Sequence, residues 1–341
     1  MTVASLRVTF AGPFVTYQDA GRAGKLRFGV PASGPMDRLS HAAANVALGN
    51  PAHSTAIEVS VGGLAMTCTT GAVTLAVAGG NFLVDRARET LDGWSVFTLS
   101  QGETLTIRVG QSGSWCYLAF AGSVDAPQWL GQTATHSTSG FGGGQLKSGQ
   151  DILINDAQVR EDRLGAIERP KFISTDMNIH AVRGPQDRFF TADSIQTFQS
   201  NDYALTSAFD RMGVRLSGPK LELAGALSIP SEPITRGSVQ VAGDGVPTVL
   251  LADHQTTGGY PKIATLQTDD LDKLSQKRTG DRVRFICVSA DDALQMTRKI
   301  AKKRTDYLSS LAEPKGSLNQ RLMRVNLISG AIDAISDSDP N

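Results

Sequence analysis

The chain has 341 residues, and its 33 Lys and Arg are balanced by 33 Asp and Glu, so the formal net charge is zero. A neutral balance argues against a dedicated nucleic-acid binder and against a polybasic membrane anchor. A hydrophobic fraction of 40% is enough to build a core, and the length predicts two domains. The 35 glycines are the one oddity of composition, and they indicate many turns between short strands.

The cysteines and the apolar segments exclude several further classes of protein. Cys68, Cys116 and Cys287 lie far apart, and no CxxC pair is present, so neither a disulfide framework nor a zinc site is predicted. The N-terminus lacks the long apolar core of a signal peptide, and no window approaches 18 uninterrupted apolar residues. We therefore expect a cytoplasmic protein that has no membrane segment and no metal ligand set.

Short alternating or apolar runs, rich in Val, Thr, Phe and Leu, dominate the chain up to about residue 290. Many of them end at Gly, Asp or Asn, which is typical of strands separated by turns. Their spacing of roughly ten residues favours barrels or sandwiches over βαβ units. The clearest predicted strands lie at 5–10, 72–77, 94–99, 103–109, 115–120, 179–184, 238–243, 247–253 and 281–288.

Helices are predicted at one internal segment and at the C-terminal end. Residues 36–50 have helical spacing, and Gly49 and Pro51 would stop the helix. Ser289 begins a capping pattern, followed by apolar residues at helical spacing and a second apolar run at 318–335. These patterns predict a mainly β first subdomain, a charged linker, a second β subdomain and a helical extension, at 1–155, 156–171, 172–290 and 291–341 respectively.

Three segments are unusually dense in polar residues and glycine. The first runs from Thr16 to Asp37 and contains Asp19, Arg22 and several glycines. Arg offers a planar fork for a carboxylate, and glycines let backbone N–H groups approach a ligand. The same residues also suit a pair of tight turns with an Asp–Arg salt bridge.

The second polar segment spans 209–218 and places Arg211 and Arg215 four residues apart. In a strand these two side chains would share a face, where they would form an anion clamp or simply a solvated surface. The third segment, 253–261, follows an apolar strand and brings together Asp253, His254 and Tyr260 with two glycines. A strand that ends in such residues can present reactive groups from a rigid support, although a polar turn is the alternative.

Other candidate residues are fewer. Glu58, between Ile57 and Val59, is a candidate inward-facing carboxylate, whereas His41, His53 and His180 are expected to be structural. His136 lies in the Gly-, Ser- and Thr-rich loop 131–151, from which it would reach over a site. The sequence contains no GxxxxGK[ST] loop, no GxSxG, no HExxH and no Met-Lys-Met biotin attachment site.

Taken together in order, these segments resemble the biotin-dependent carboxyltransferase family. That family includes the proteins called allophanate hydrolase subunit 2, the C subunit of 5-oxoprolinase, and the carboxyltransferase region of urea carboxylase. The resemblance is carried by TYQDAGRAGKLRFGVPASGPMD, IEVSVGG, YLAFAGSV, VRGPQDRFF, FDRMGVRLSGP and VLLADHQTTGGYPKIATLQTDDLDKLSQ, and it covers about residues 5–287.

The resemblance implies a fold, a reaction class and partners. It implies two cyclophilin-like β-barrel subdomains followed by a C-terminal helical tail. It also implies a companion protein, similar to the B subunit of 5-oxoprolinase or to allophanate hydrolase subunit 1. The complex would use ATP to process a small amide such as 5-oxoproline or urea. No cofactor would be bound covalently, and carboxybiotin, if used, would be carried by a separate protein.

The resemblance also implies a set of site residues. Asp253 would orient the acceptor or remove its proton, and Arg22 or Arg211 would bind the carboxyl or carbonyl oxygen. The expected substrate-binding residues are Gln18, Asp19, Asp37, Asn45, Gln240, Gln255, Thr256, Gly258, Gly259 and Tyr260. Two other functions remain open: a non-catalytic regulatory partner of a kinase-inhibitor-like companion protein, and a carbohydrate- or peptide-binding barrel.

Overall fold

The computed structural model describes residues 2–87, 89–174, 176–225 and 228–316. The first subdomain consists of two antiparallel sheets packed around one apolar core. The strands of its seven-stranded sheet, in spatial order, are β11 (Ser123–Val124), β12 (Asp151–Asn155), β1 (Val3–Ala11), β4 (Leu64–Thr70), β9 (Thr104–Arg108), β6 (Leu83–Arg86) and β7 (Glu89–Asp92). Those of its six-stranded sheet are β13 (Gly165–Ala166), β8 (Ser95–Ser100), β5 (Ala72–Ala78), β10 (Trp115–Phe120), β3 (Ala56–Ser60) and β2 (Thr16–Gln18).

The second subdomain is a closed barrel of seven strands around its own core. Its strands, in order around the barrel, are β14 (Asn178–Arg183), β21 (Lys262–Leu266), β18 (Ser238–Val241), β19 (Pro247–Leu250), β16 (Gly213–Ser217), β15 (Asp202–Phe209) and β22 (Arg282–Val288). A two-stranded ribbon joins β17 (Glu232–Pro233) to β20 (Thr257–Gly258) outside it. Closure leaves the barrel without an open edge.

Four α-helices occur within the described residues: α1 (Arg38–Ala47), α2 (Ala192–Ser200), α3 (Thr268–Ser275) and α4 (Ala290–Ala312). Asp37 caps α1 by accepting the Ser40 N–H at 3.0 Å, and Gly49 follows the helix at a φ of +83°. Ser289 caps α4 by accepting the Asp292 N–H, as the sequence predicted. Among the helices described, none is both long and apolar enough to cross a bilayer.

The predicted fold class is confirmed: the chain is mainly β, with two β subdomains and a C-terminal helix. The barrel closes in the second subdomain, whereas the first keeps two separate sheets. All nine strand runs named from the sequence contain or overlap observed strands. The linker contributes β13, which pairs with β8 of the first subdomain. The predicted domain boundaries stay a prediction, and the predicted helix at 318–335 lies outside the described residues.

One buried arginine attaches α4 to the first subdomain. Arg163 Nη1 donates to the carbonyls of Val46 and Ala47 at the end of α1, and its Nη2 donates to that of Ala312 at the end of α4. The cation therefore satisfies orphan carbonyls at two helix ends, where the dipoles favour positive charge. No residue of α4 is fully buried, so the helix gains little from packing. The hydrogen bonds of Arg163 are therefore important for holding α4 against the first subdomain.

We therefore expect Arg163→Met to lower the free energy of unfolding by about 2 kcal/mol, because hydrogen bonds to a charged group are lost while buried carbonyls lose their donor. Arg7→Met is the control, since Arg7 forms an exposed surface pair with Asp151 that should be worth less than about 1 kcal/mol. Urea denaturation followed by circular dichroism measures both. Equal losses in the two variants would contradict the capping role.

Candidate functional site

The two subdomains are joined by an arginine that no solvent reaches. Arg211 lies in the turn between β15 and β16 and is fully buried. Its Nε and Nη2 donate to Asp253 Oδ2 and Oδ1, each at 2.9 Å, so the pair is bidentate. Its Nη1 bonds Glu58 in β3, and its Nη2 also donates to the Gly34 carbonyl at 2.8 Å. One side chain of the barrel therefore holds two segments of the first subdomain.

The carboxylates around Arg211 are fully provided with donors. Glu58 Oε2 accepts the Tyr117 hydroxyl and the Met36 N–H, both at 2.8 Å. Asp253 Oδ2 also accepts the Ser137 N–H at 2.8 Å. Every oxygen of the two carboxylates is thus occupied, which is the condition under which buried charges are tolerated.

The charges in this cluster stabilise one another against burial. Burial by itself would lower the pKa of Arg211, but the charges of Asp253 and Glu58 outweigh it and raise that pKa above its ordinary value. Burial would raise the pKa of Asp253, yet the charge and hydrogen bonds of Arg211 hold it below the usual range. For Glu58, burial dominates and its pKa is raised, with Arg211 opposing. Asp253 is therefore a charged, fully bonded group that fixes geometry.

Of the two alternatives for Arg211 and Arg215, the structure does not show the anion clamp. Arg211 is buried in the turn, whereas the side chain of Arg215 is 47% exposed and pairs with Asp244 at 2.7 Å. The period-two argument fails because Arg211 precedes the strand that carries Arg215, so the two residues are not on one continuous strand face.

A second arginine, whose side chain is 17% exposed, reinforces the contact between subdomains. Arg236, which precedes β18, donates through Nη1 to the Pro35 carbonyl at 3.0 Å and through Nη2 to the Met36 carbonyl at 2.7 Å. Burial lowers its pKa to about 10. Arg211 and Arg236 together hold residues 34–36 from the barrel side, which fixes the start of α1.

The first polar segment lies beside this cluster. Asp19 Oδ1 accepts the Gly21 N–H at 2.9 Å, and its Oδ2 accepts the Thr133 N–H at 2.7 Å from the long loop. Gln18 is fully buried and donates to Thr16 and to the Thr135 carbonyl, while its Oε1 has no hydrogen-bond partner in the described chain. The sequence alternative of an Asp19–Arg22 salt bridge is not what these contacts show.

The glycines of this segment serve packing. A Cβ at Gly21, whose φ is +82°, would lie 2.6 Å from the Ala32 carbonyl oxygen. A Cβ at Gly34, whose φ is +85°, would lie 3.1 Å from that of Ala20. The two arms of the loop therefore pack against each other at positions where only glycine fits. The space that we assigned to a ligand at these two glycines is filled by the protein's own backbone.

Arg22 leaves two buried nitrogens unused, more than any other side chain of this region among the described residues. It is 2% exposed, and its Nη1 donates to the Ala134 carbonyl at 2.6 Å. Its Nε and Nη2 are buried without any hydrogen-bond partner among the described residues. Burial lowers the pKa of Arg22, and the nearby charges of Asp19 and Asp253 offset this only in part. A buried cation with two unused donors costs stability unless a ligand supplies the acceptors.

An aromatic pair covers Arg22. The guanidinium carbon lies 4.9 Å from the centroid of the Trp129 ring. Trp129 in turn stacks on Phe141, with centroids 4.5 Å apart and planes 19° apart. Phe141 is 49% exposed, so the stack runs from the surface of the long loop to the buried cation. Trp129, two residues before the predicted 131–151 loop, and Phe141 of that loop together form the cover of this region.

The same loop contacts the second subdomain through His136. His136 Nε2 lies 3.3 Å from the Asp253 carbonyl, and its Nδ1 accepts the Ser139 N–H at 3.2 Å. With the Ser137 contact, this places the loop directly against the end of the third polar segment. His136 was expected to reach over a site, and it reaches the backbone of Asp253.

The rest of the third segment forms the outer wall of the barrel. Gln255 and Tyr260 are exposed, and the Thr256 carbonyl accepts the Ile234 N–H at 3.0 Å. Gly258 pairs with Glu232, and the Gly259 carbonyl accepts the Ile229 N–H at 2.8 Å. Gln240 is 5% exposed, and its Nε2 lies 3.4 Å from the Tyr260 carbonyl. These residues therefore lie along one ribbon that begins at Asp253.

Asp37 and Asn45, the other two predicted residues, have structural partners. Asp37 caps α1 and accepts Gln276 Nε2 at 2.8 Å, while its N–H donates to the Tyr117 hydroxyl at 2.7 Å. Asn45 is fully buried and donates to the Ser54 carbonyl at 3.0 Å. The structure thus gathers Gln18, Asp19, Arg22, Arg211 and Asp253 around the loop 131–151 and puts Asp37 and Asn45 on the α1 side.

A cavity of about 410 Å³ lies apart from this cluster, between the linker, α3 and the first subdomain. Its wall includes Trp94, Arg169 and Gln276, and from the predicted set only Asp37. The polar groups of Asp37 and Gln276 are already bonded to each other. Asp272 Oδ2 in its wall is a buried acceptor without a hydrogen-bond partner, whereas Arg22 has two such donors, which are what developing negative charge on oxygen requires. We therefore place the candidate site at Arg22.

Several participants were not foreseen from the sequence. Tyr117 and Trp129 carried no motif, and Arg236 was not among the candidate residues. Glu58 was foreseen as an inward carboxylate, and the structure confirms that it is fully buried. No cluster of three or more His, Cys, Asp or Glu arranged for a metal ion occurs in residues 2–87, 89–174, 176–225 and 228–316.

Comparisons with known proteins agree with this architecture. Residues 28–287 match the family described as "Carboxyltransferase domain, subdomain A and B". The chain is 33% identical over 287 residues to the C subunit of 5-oxoprolinase from Haemophilus influenzae, covering 83% of this chain and 91% of that protein. It is 30% identical over 335 residues to urea amidolyase of Saccharomyces cerevisiae, covering 89% of this chain and 18% of that protein.

A solved structure is similar in fold. The urea carboxylase of Kluyveromyces lactis aligns with a TM-score of 0.78 at 24% identity, covering 89% of this chain and 29% of that one. At this identity the likeness concerns the fold alone.

Replacement of Arg211 should lower the free energy of unfolding far more than replacement of Arg215. We expect Arg211→Met to lower the free energy of unfolding by about 3–5 kcal/mol, because Glu58 and Asp253 would stay buried without their counter-charge. Arg215→Met, in the same segment, should cost less than about 1 kcal/mol. Guanidinium chloride denaturation measures the pair, and similar losses in both would contradict the assignment of Arg211.

His41 predicts a pH dependence of stability. It is buried against Tyr117, with ring centroids 5.5 Å apart, and burial lowers its pKa to about 4 from the ordinary 6.5. Between those values the unfolded state binds a proton that the folded state does not, so stability is lost as pH falls from about 6.5 to about 4. The loss from this one group approaches about 3 kcal/mol.

The variant His41→Gln removes this titration. Its unfolding free energy should fall less steeply over the same pH range than that of the wild type, whereas above pH 7 the two curves should run parallel. Subtracting one curve from the other cancels His254, whose pKa burial also lowers. A difference that does not change with pH would show that His41 does not titrate as described.

Proposed function

Because the chain belongs to the carboxyltransferase family of subdomain A and B proteins, we propose that it is one component of an ATP-dependent complex that processes a small amide or lactam. The relatives named above are a 5-oxoprolinase component and a urea amidolyase, and these make 5-oxoproline and urea the first candidate substrates. The chain would act with a companion protein, and a role as a non-catalytic regulatory partner is the alternative.

One observation supports an active role: Arg22 offers two unused donors beside Asp19 and Asp253, under the cover of the long loop. Amide carboxylation and lactam opening both develop negative charge on oxygen. A buried arginine with free N–H groups stabilises such charge better than solvated groups do. Asp253 would hold Arg211 and the loop in place, because its own oxygens are fully bonded.

The chain offers a binding residue for one of the two groups that this chemistry implies, carboxybiotin, and no recognisable binding motif for the other, ATP. If carboxybiotin takes part, its carboxylate matches the free donors of Arg22, and that is the residue that would hold it. For ATP, the sequence has no GxxxxGK[ST] loop, so we assign the use of ATP to the complex as a whole. When present, these groups supply the activated carboxyl or phosphoryl group, and this chain contributes binding and orientation.

Reconstitution tests the proposal. The full chain and its companion proteins should turn over 5-oxoproline or urea with ATP, and omission of this chain should abolish turnover. Asp253→Asn should lower kcat/KM by about tenfold or more, because weaker pairing would let Arg211 and the loop shift. Asp244→Asn, at the exposed partner of Arg215, is the control and should keep wild-type activity.

Two results would contradict the proposal. Undiminished turnover in the absence of this chain would show that it is not a component of the enzyme. Absence of turnover of either substrate by the complete complex, combined with capture of a kinase-inhibitor-like companion, would favour the regulatory alternative.

A further inference from the structure

Two arginines near the subdomain boundary differ in one respect: the Nε/Nη2 edge of the guanidinium is hydrogen-bonded in one and has no partner in the other. In Arg211, Nε and Nη2 bind the two oxygens of the Asp253 carboxylate, each at 2.9 Å. In Arg22 the same two atoms are buried and have no partner in the described part of the chain. Nε and Nη2 form one side of the planar guanidinium, which matches the two oxygens of a carboxylate.

From this comparison we infer that the Nε/Nη2 edge of Arg22 is a binding site for a planar two-oxygen anion, a carboxylate or carbamate, backed by Trp129. The inference rests on the proposed function and assigns this edge to an anion, so neutral urea itself would not occupy it. The anion comes either from the substrate itself or from the carboxyl group in transit, and the experiment below separates these sources.

Within the described residues, no acceptor is recorded for this edge. Asp19 and Asp253 are the carboxylates whose charges act on Arg22. Asp19 accepts hydrogen bonds from Gly21 and Thr133. Asp253 accepts hydrogen bonds from Arg211 and Ser137. Nη1 is already fixed by the Ala134 carbonyl, so the orientation of the guanidinium is set before any ligand arrives. A prepositioned fork loses less entropy on binding than a mobile side chain would.

Trp129 defines the shape of the site. It lies over the guanidinium at 4.9 Å, and an anion bound in the plane of Arg22 lies alongside the same ring. Both donors are shielded from solvent, and the Trp129–Phe141 stack lies over the guanidinium. Exclusion of water then strengthens the charge-assisted bonds, and the flat aromatic surface selects a flat anion.

The arginine side chains can be observed directly in the unmodified protein. Nitrogen-15 spectra of the Nε–Hε groups of the full chain should show the Arg22 signal moving saturably on addition of 5-oxoproline. The signal is assigned by its absence in Arg22→Lys. The Nε–Hε signal of Arg211, whose edge is already filled, is the internal control and should stay in place.

Three further probes identify the source of the anion. The lactam 2-pyrrolidinone has the ring of 5-oxoproline without its carboxylate, and urea has neither, so both should leave the Arg22 signal unmoved. If bicarbonate moves the signal and 5-oxoproline does not, the anion is the carboxyl group in transit; if 5-oxoproline moves it, the anion is the substrate's own carboxylate.

The variants add an affinity measurement. Arg22→Lys keeps the charge but loses the fork, and should weaken binding of the effective anion about tenfold or more. Trp129→Phe keeps an aromatic face and should retain most of the affinity. Thermal unfolding checks that each variant is folded, and the spectra of the wild type remain decisive if one is not.

The inference is overturned if neither anion moves the Arg22 signal, or if 2-pyrrolidinone moves it as far as 5-oxoproline does. That failure is distinct from failure of the proposed function. A complex that turns over substrate while Arg22→Lys keeps full activity would leave the function intact and remove this site. Saturable anion binding at Arg22 in a complex that does not turn over substrate would support this site and contradict the proposed function.

Discussion

The fully buried side chain of Arg211 is the interaction on which the arrangement of the two subdomains depends. It comes from the barrel and binds Glu58 and the Gly34 carbonyl of the first subdomain, while Asp253 of its own subdomain fixes its orientation. Removing such a cation would leave two buried carboxylates unpaired, so the subdomains are coupled by electrostatics as well as by packing. The loop 131–151 and the start of α1 both take their positions from this cluster.

The cluster also explains why the candidate site is at the boundary. Arg211 fixes Asp253, and Asp253 fixes Ser137 in the loop that carries Phe141, on which Trp129 stacks. Trp129 then covers Arg22, which belongs to the first polar segment. Residues far apart in sequence are thereby held at fixed mutual positions without a mobile side chain between them. Preorganisation of this kind is what a site for developing charge requires, since no reorganisation has to accompany the reaction.

The sequence predicted the β architecture and the relevant segments, but it did not predict which polar residues are structural. Alternation and turn residues located strands such as β5 and β10, because one buried face imposes period two. The alternation argument misplaced Arg211, because a turn interrupts the strand. Tyr117 and Arg236 could not be identified, since a buried tyrosine or a mostly buried arginine differs from an exposed one only through partners that the fold brings from elsewhere.

Arg22 differs from Arg211 in a way that bears on selection. All three guanidinium nitrogens of Arg211 donate hydrogen bonds, and its pKa is raised, whereas two nitrogens of Arg22 have no partner among the described residues and its pKa is lowered by burial. A fold under pressure for stability alone would supply Arg22 with a carboxylate or replace it with an apolar side chain, because an incompletely bonded buried cation is costly. Arg22 lies beside Asp19, but the oxygens of Asp19 accept hydrogen bonds from Gly21 and Thr133. The protein is therefore less stable than it would be with a fully bonded residue here, and the site is complete only when an anion is bound.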